Sequence, residues 1–190
     1  MRSRQTNKPD KYIVSECVKV LRDELPYNLH IFVNSVEFIA KVIDTLKLAP
    51  EAVKVVCSTS GESRQENQRK LGNAYPIGQP SDPAKKINFY TSTCFEGCDI
   101  FDRDGVTFIV SDGRKAHTLL DISTLFTQIC GRIRDSRYKA QIVHVYSTTK
   151  YSKAVTLDEF VAATQRTLAD AESYAAEINS LSEATRVKTL

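Results

Sequence analysis

"LHIFVNSVEFIAKVIDTLKLAPEAVKVVCST", residues 29–59, is the stretch on which the fold turns. It opens with a short apolar run, LHIFVNS (29–35), of strand length and strand composition. VEFIAKVIDTLKL (36–48) follows, with Phe38, Val42, Ile43 and Leu46 on one face at helical spacing. AVKVVCST (52–59) is a second strand. Neither strand alternates apolar with polar residues, as expected of parallel strands covered on both faces. A strand, a helix and a strand in this order make a right-handed crossover between parallel strands.

The same alternation extends outward. Residues 9–25 read as a helix, with Pro9 and Asp10 at its start. SRQENQRKL (63–71) is a polar helix, and YPIGQPSDP (75–83) is a turn-rich loop holding three of the six prolines. KINFYTST (86–93), VTFIVSD (106–112) and AQIVHVYS (140–147) are further strands. DISTLFTQICGRIR (121–134) reads as one helix with Asp121 as its N-cap. The fold class is therefore α/β with a mostly parallel sheet, occupying residues 1–150. In such sheets ligands meet the loops leaving the carboxyl ends of strands, here after Val33, Cys57, Tyr90 and Val110. From Thr156 the chain is Ala-rich without Gly or Pro, and Val161, Thr164, Leu168, Ala171, Ala175 and Ile178 recur at spacings of three and four. Residues 151–190 thus read as a helical extension. It either packs back on the sheet, links to a further domain, or makes a weak coiled-coil seam.

Composition narrows the function classes. A net charge of +3 over 190 residues does not by itself indicate nucleic acid; only a local cluster could. The five cysteines are odd in number and scattered, which points to reduced thiols in a cytosolic or nuclear-type compartment. Cys94 and Cys98 are the only close pair and lack a second pair of ligands, so no metal site is expected. The start, MRSRQTNKPD, is basic but leads into no apolar segment, so secretion is not expected. No apolar run approaches the roughly 20 residues needed to cross a bilayer, so no membrane partner is expected. No G-x-x-x-x-G-K-[ST] occurs, and the Asp-Glu pairs at 23–24 and 158–159 lie in polar helical patterns rather than after an apolar strand. No Ser–His–Asp or Cys–His arrangement stands out.

One segment resists a purely structural reading. FTQICGRIRD (126–135) puts Arg132 and Arg134 beside Gly131 at the end of an apolar run. Removing unpaired charge from water is expensive. Either the arginines face solvent or pair with Asp135 and Asp121, or something negative comes to meet them.

Three segments together resemble motifs IV, V and VI of the superfamily-2 helicases: IFVNS (31–35), TSTCFEGCD (91–99) and QICGRIR (128–134). Thr91, Glu96, Gly97 and Asp99 satisfy the motif V pattern of Thr, five residues, Gly, one residue, Asp. Gln128, Gly131 and Arg132 satisfy motif VI, Q-x-x-G-R-x-x-R. SRQENQRKL also looks like the polar helix that family members place after the second strand. The resemblance spans roughly residues 10–147 and implies the second, C-terminal RecA-like domain of an ATP-dependent helicase, a three-layer fold. ATP and Mg2+ would be bound mainly by a partner P-loop domain, and single-stranded DNA or RNA would be the track.

The resemblance also implies roles. Arg132 and Arg134, with Gln128, would serve catalysis: a guanidinium supplies several donors to the γ-phosphate and stays charged. Gly97, Asp99 and Gly131 would lie on the nucleotide side, Asp99 near ribose or the arginines and Gly131 permitting close approach. Asn34, Ser35, Ser58, Thr91 and Thr93 would hold a nucleic-acid strand by its phosphates, contacts that fix position without reading sequence. Each hydroxyl has an alternative role as a cap of the following helix or turn. One departure stands out. The family's last motif VI arginine would fall at Asp135, leaving Arg134 or Arg137 to substitute. The rival reading is a non-catalytic RecA-like module that binds nucleic acid or protein.

Overall fold

The computed structural model describes residues 1–148 and 156–180. In chain order the main elements are β1 (Arg2–Gln5), α1 (Pro9–Leu21), β2 (Asn28–Phe32), α2 (Val36–Leu46), β3 (Val53–Val56), α3 (Gly61–Leu71), β4 (Ile87–Tyr90), β5 (Ile100–Phe101), β6 (Gly105–Asp112), α4 (Thr127–Cys130), β7 (Ile133–Arg134), β8 (Ile142–Ser147) and α5 (Leu157–Ser180). Six strands form one sheet in the order β1-β8-β6-β2-β4-β3, and every neighbouring pair is parallel. The chain divides into two compact units, Met1–Lys150 and Tyr151–Leu190, and α5 belongs to the second.

Alternate residues of the central strands feed two separate apolar layers. Leu29 and Ile31 of β2, Ile87 and Phe89 of β4, and Val106, Phe108 and Val110 of β6 pack with Ile13, Cys17 and Val20 of α1 and Phe38, Ile39, Val42 and Ile43 of α2. On the opposite face Phe32, Tyr90 and Ile109 pack with Cys94, Phe95, Ile100, Phe126 and Ile129. Helix layer, sheet and second layer give the three-layer α/β arrangement expected of a RecA-like domain. The β3 edge is covered by the 75–83 loop. Gly78 N–H donates to the Val55 carbonyl at 2.8 Å, and the buried Lys54 Nζ donates to the carbonyls of Pro80 (3.1 Å) and Asp82 (2.6 Å).

Several boundaries differ from the sequence reading. The first helix stops at Leu21 rather than Leu25, because Asp23 turns the chain at φ 55°. The first core strand stops at Phe32, since Ser35 leaves the sheet to cap α2, its Oγ accepting the Phe38 N–H at 3.2 Å. The helix expected over 121–134 is a π-turn (Ile122–Phe126) and one α-turn ending at Gly131. Ile133–Arg134 is instead a strand, paired in parallel with Ile100–Phe101. β1 is fully exposed and polar, so no apolar pattern announced it; its pairing with β8 is a backbone matter. In the second unit α5 opens with a capping box. The Thr156 hydroxyl accepts the Glu159 N–H at 3.3 Å, and the Glu159 carboxylate accepts the Thr156 N–H at 2.8 Å. Leu157, Val161 and Leu168 are exposed along it, whereas the side chains of Ala175 and Ile178 lie outside the described residues.

The second layer also contains a buried polar knot. His30 has no exposed surface. Its Nε2 lies 2.7 Å from Asp102 Oδ2, and its Nδ1 lies 3.1 Å from the Tyr90 hydroxyl. Asn28 Nδ2 donates to the same carboxylate oxygen at 3.0 Å. A carboxylate can only accept, so Nε2 carries the proton and Nδ1 accepts from Tyr90. Burial holds the His30 pKa below its ordinary 6.5; Lys54 pushes the same way, and together they outweigh the opposing pull of Asp102. Burial alone likewise lowers His144. Unfolding releases both imidazoles to bind protons, so stability must fall as pH drops below about 6.5. For His30 alone the slope approaches about 1.4 kcal/mol per pH unit. Urea melts at pH 7 and pH 5.5 measure this, and imidazole NMR should show His30 taking up its proton at a lower pH than an ordinary imidazole. A second loss is expected as pH falls from 3.8 toward about 2, where Asp112, held down by Arg114, finally protonates.

Candidate nucleotide and nucleic-acid site

The carboxyl ends of β2, β3 and β4 open onto a polar cavity of about 320 Å³. Asn34, Ser35, Ser58, Thr91 and Thr93 all line it. They come together because each follows a strand of one parallel sheet. Asn34 ties two rims: its Nδ2 donates to the His117 carbonyl at 2.9 Å, and its Oδ1 accepts the Ser92 N–H at 3.4 Å. The Ser35 hydroxyl is engaged as the α2 cap, as the alternative reading of the hydroxyls anticipated. Ser58 Oγ lies 3.0 Å from Ser60 Oγ, and Thr91 Oγ1 lies 3.4 Å from Thr93 Oγ1.

The cavity also holds residues that the sequence alone did not single out. Asn67 and Lys70 reach it from α3, and Glu37 and His117 complete its wall. Asn67 Nδ2 donates to the Ser58 carbonyl at 3.2 Å, fixing α3 against the end of β3. Lys70 is paired with Glu66 at 2.7 Å. The Glu37 pKa is lowered, first by its hydrogen bond from Lys115 and in part by the charge of Lys70. The spacing of Asn67 and Lys70, three apart on a helix, was the available signal, since such residues share a face.

A second cluster joins the other named residues. Gly97 stands at φ 69°, a conformation that disfavours any side chain, and turns the chain toward Asp99 and β5. β5 pairs with β7, and the Ile100 N–H donates to the Arg132 carbonyl at 3.0 Å. Arg132 Nε donates to the Gln128 carbonyl and Nη1 to the Cys98 carbonyl, each at 3.0 Å. Gln128 and Arg132 therefore meet through this bond across the helix end, not as neighbours one turn apart on a helix. Two of the five guanidinium N–H groups are used, and no acidic partner approaches Arg132 among the described residues. Arg134 pairs with Asp99 at 2.9 Å, rather than with Asp135 or Asp121. Asp121 instead accepts the Thr124 N–H at 3.0 Å, at the start of the π-turn.

Two further points concern the departure at 135. Asp135 stands at φ 56°, in the left-handed region that Asp tolerates better than most residues. The chain turns there immediately after β7, so an arginine at 135 would not extend from the ribbon as Arg134 does. Arg137 is occupied by Asp104, its Nε donating at 2.6 Å. The loop from Thr91 to Asp99 links the two clusters, beginning in the cavity and ending beside the arginines. Within it Cys98 Sγ donates to the Cys94 carbonyl at 3.1 Å, and burial pushes the Cys94 thiol up to about 12. Among the described residues no group of three His, Cys, Asp or Glu could hold a metal ion, and no helix is long and apolar enough to cross a membrane. No family model matches the chain, and no curated protein matches it either.

Proposed function

We propose that this chain is the second motor domain of an ATP-dependent helicase or translocase. It would close on a triphosphate held by a P-loop domain, supply Arg132 to the γ-phosphate, and grip one nucleic-acid strand. The observation that carries the reading is the convergence of separate sequence segments on two adjoining sites. Five polar residues from three strand ends line one cavity, and the loop leaving that cavity runs to an arginine with unused donors. Gly131 adds support. Its φ is −97°, and a Cβ there would meet only the Gln128 carbonyl, at an ordinary 3.6 Å. Nothing within the described chain requires glycine at 131, whereas close approach of an outside group would.

The chain's own donors suit triphosphate oxygens, and the Asp99 carboxylate would accept from a ribose hydroxyl. The metal ion would be held by the partner domain, where it would neutralise phosphate charge. This chain would orient the γ-phosphate with Arg132, relieve charge developing there, and fix strand phosphates at the Ser35, Thr91 and Thr93 hydroxyls, with Lys70 alongside.

Oligonucleotide binding tests the reading. The chain alone should bind single-stranded DNA or RNA weakly and without sequence preference. The slope of log affinity on log salt should be shallow, about −0.7 per phosphate neutralised. Lys70→Glu should weaken binding to all sequences alike and flatten the slope by about one such step. The chain alone should not hydrolyse ATP, and robust hydrolysis abolished by Arg132→Ala would overturn the proposal. A steep salt slope with a clear sequence preference would favour the dedicated binding module.

A further inference from the structure

Phe101 is 68% exposed, while Ile100 beside it is 1% exposed. A single exposed apolar residue means little by itself; its position gives it meaning. Phe101 and Arg134 are register partners across the parallel β5–β7 ribbon, and register partners project from the same face. Ile100 and Ile133, the other pair, are buried, so that shared face is the outward one. Asp99, two residues before Phe101, holds Arg134 at 2.9 Å on the same side. The outward face of the ribbon thus offers an aromatic ring, a carboxylate and a guanidinium within one short stretch.

Arg132, two residues before Arg134, adjoins this face through its bond to the Cys98 carbonyl next to Asp99, and ring, carboxylate and the free donors of Arg132 match the base, ribose and phosphates of a nucleotide. We propose that Phe101 is the stacking platform for the base of the nucleotide whose phosphates meet Arg132, an inference that rests on the function proposed above. An exposed ring next to bound phosphates gains by covering its face with a base, and such stacking tolerates any base because each has a π-face. A ring face reads no Watson–Crick edge. The site should therefore accept a purine nucleoside triphosphate without distinguishing adenine from guanine.

The chain contains no tryptophan, so Phe101→Trp places a single reporter on the ribbon. Without the P-loop partner that would hold most of the triphosphate, binding to the chain alone should be weak, and ATP and GTP at high concentration should quench its fluorescence saturably and to a similar extent. Inorganic tripolyphosphate should bind, as seen by phosphorus NMR line broadening, without quenching. Phe101→Ala should weaken ATP about tenfold, within the range for loss of one stacked base, and leave tripolyphosphate affinity unchanged. Because the side chain is exposed, both variants should melt like the parent. If ATP binds the parent and Phe101→Ala equally, base stacking is wrong while phosphate binding at Arg132 survives. If neither ATP nor tripolyphosphate binds, both the stacking platform and the nucleotide site beneath it are overturned.

Discussion

Arg132→Ala, in a protein that carries this chain beside a P-loop domain, is expected to cut ATP turnover by about 10³ or more and leave ATP binding nearly intact. A guanidinium aimed at the γ-phosphate acts on charge that develops in the transition state, not on the bound ground state. Turnover should therefore fall far more than affinity. The geometry sharpens the expectation. Arg132 is held by two backbone carbonyls rather than by an acid, so its charge is not already neutralised. Arg134 starts from a different state, since Asp99 must release or share it before it can meet a phosphate. Arg134→Ala should be the milder change, and Arg137→Ala milder still, because Asp104 already occupies that side chain. Arg132→Lys should fail almost as badly as alanine, since an ammonium cannot make both carbonyl bonds and still present a planar fork. Steady-state hydrolysis and nucleotide binding, measured on variants that melt like the parent, decide the matter. Parental turnover by a well-folded Arg132→Ala variant would remove the basis for the helicase reading.

Gly105→Ala is expected to be the most damaging small substitution for stability among the glycines described. A Cβ at this position would lie 2.9 Å from His30 Nε2, 3.0 Å from His30 Cδ2 and 3.1 Å from Ile133 Cγ2. None of these neighbours can yield easily. The His30 ring is held at both nitrogens. Ser136 Oγ donates to the Gly105 carbonyl at 2.6 Å, pinning the strand itself. Overpacking of this kind costs about 2–3 kcal/mol, which lowers Tm by roughly 4–12 °C. Ile133 is part of the ribbon that carries the arginines, so ATP turnover in the two-domain protein should suffer along with stability. Gly131→Ala is the control, since its Cβ meets only an ordinary contact; it should melt like the parent. A Gly105→Ala chain with the parental Tm would show that the His30 knot is looser than its hydrogen bonds imply.

The sheet was legible because parallel strands buried on both faces announce themselves as continuous apolar runs, and 29–59 contains two of them around an amphipathic helix. The cavity residues were legible for a related reason. Once the strands are parallel, whatever follows them must converge at one end, which is how Asn34, Ser58 and Thr91 could be grouped before their contacts were seen. What failed to show was structure set by pairing rather than by pattern. β1 is four exposed polar residues. β5 and β7 are two residues each and exist because they meet one another. That ribbon ended the helix expected over 121–134. Phe101 carries no signal of its own for the same reason, since its place beside Arg134 depends on a cross-strand partner 33 positions later. Lys70 shares a helix face with Asn67, but a polar helix offers no contrast by which that face stands out from the others.

The pairing of β1 with β8 has a consequence for biosynthesis. Arg2 lies in register with Val143, so the strand made first is completed by the strand made last in this domain. At about 5–20 residues per second, the roughly 140 residues between them take about 7–28 s to emerge from the ribosome. By the end of that interval the β2, β4, β3 and β6 portion of the sheet has its partners in hand, while Arg2–Gln5 still waits for β8. Closing so long a loop is also the step with the largest entropic cost in the sheet. The polar, doubly charged sequence of β1 suits a strand that must wait in water, because an apolar one would spend those seconds seeking another edge.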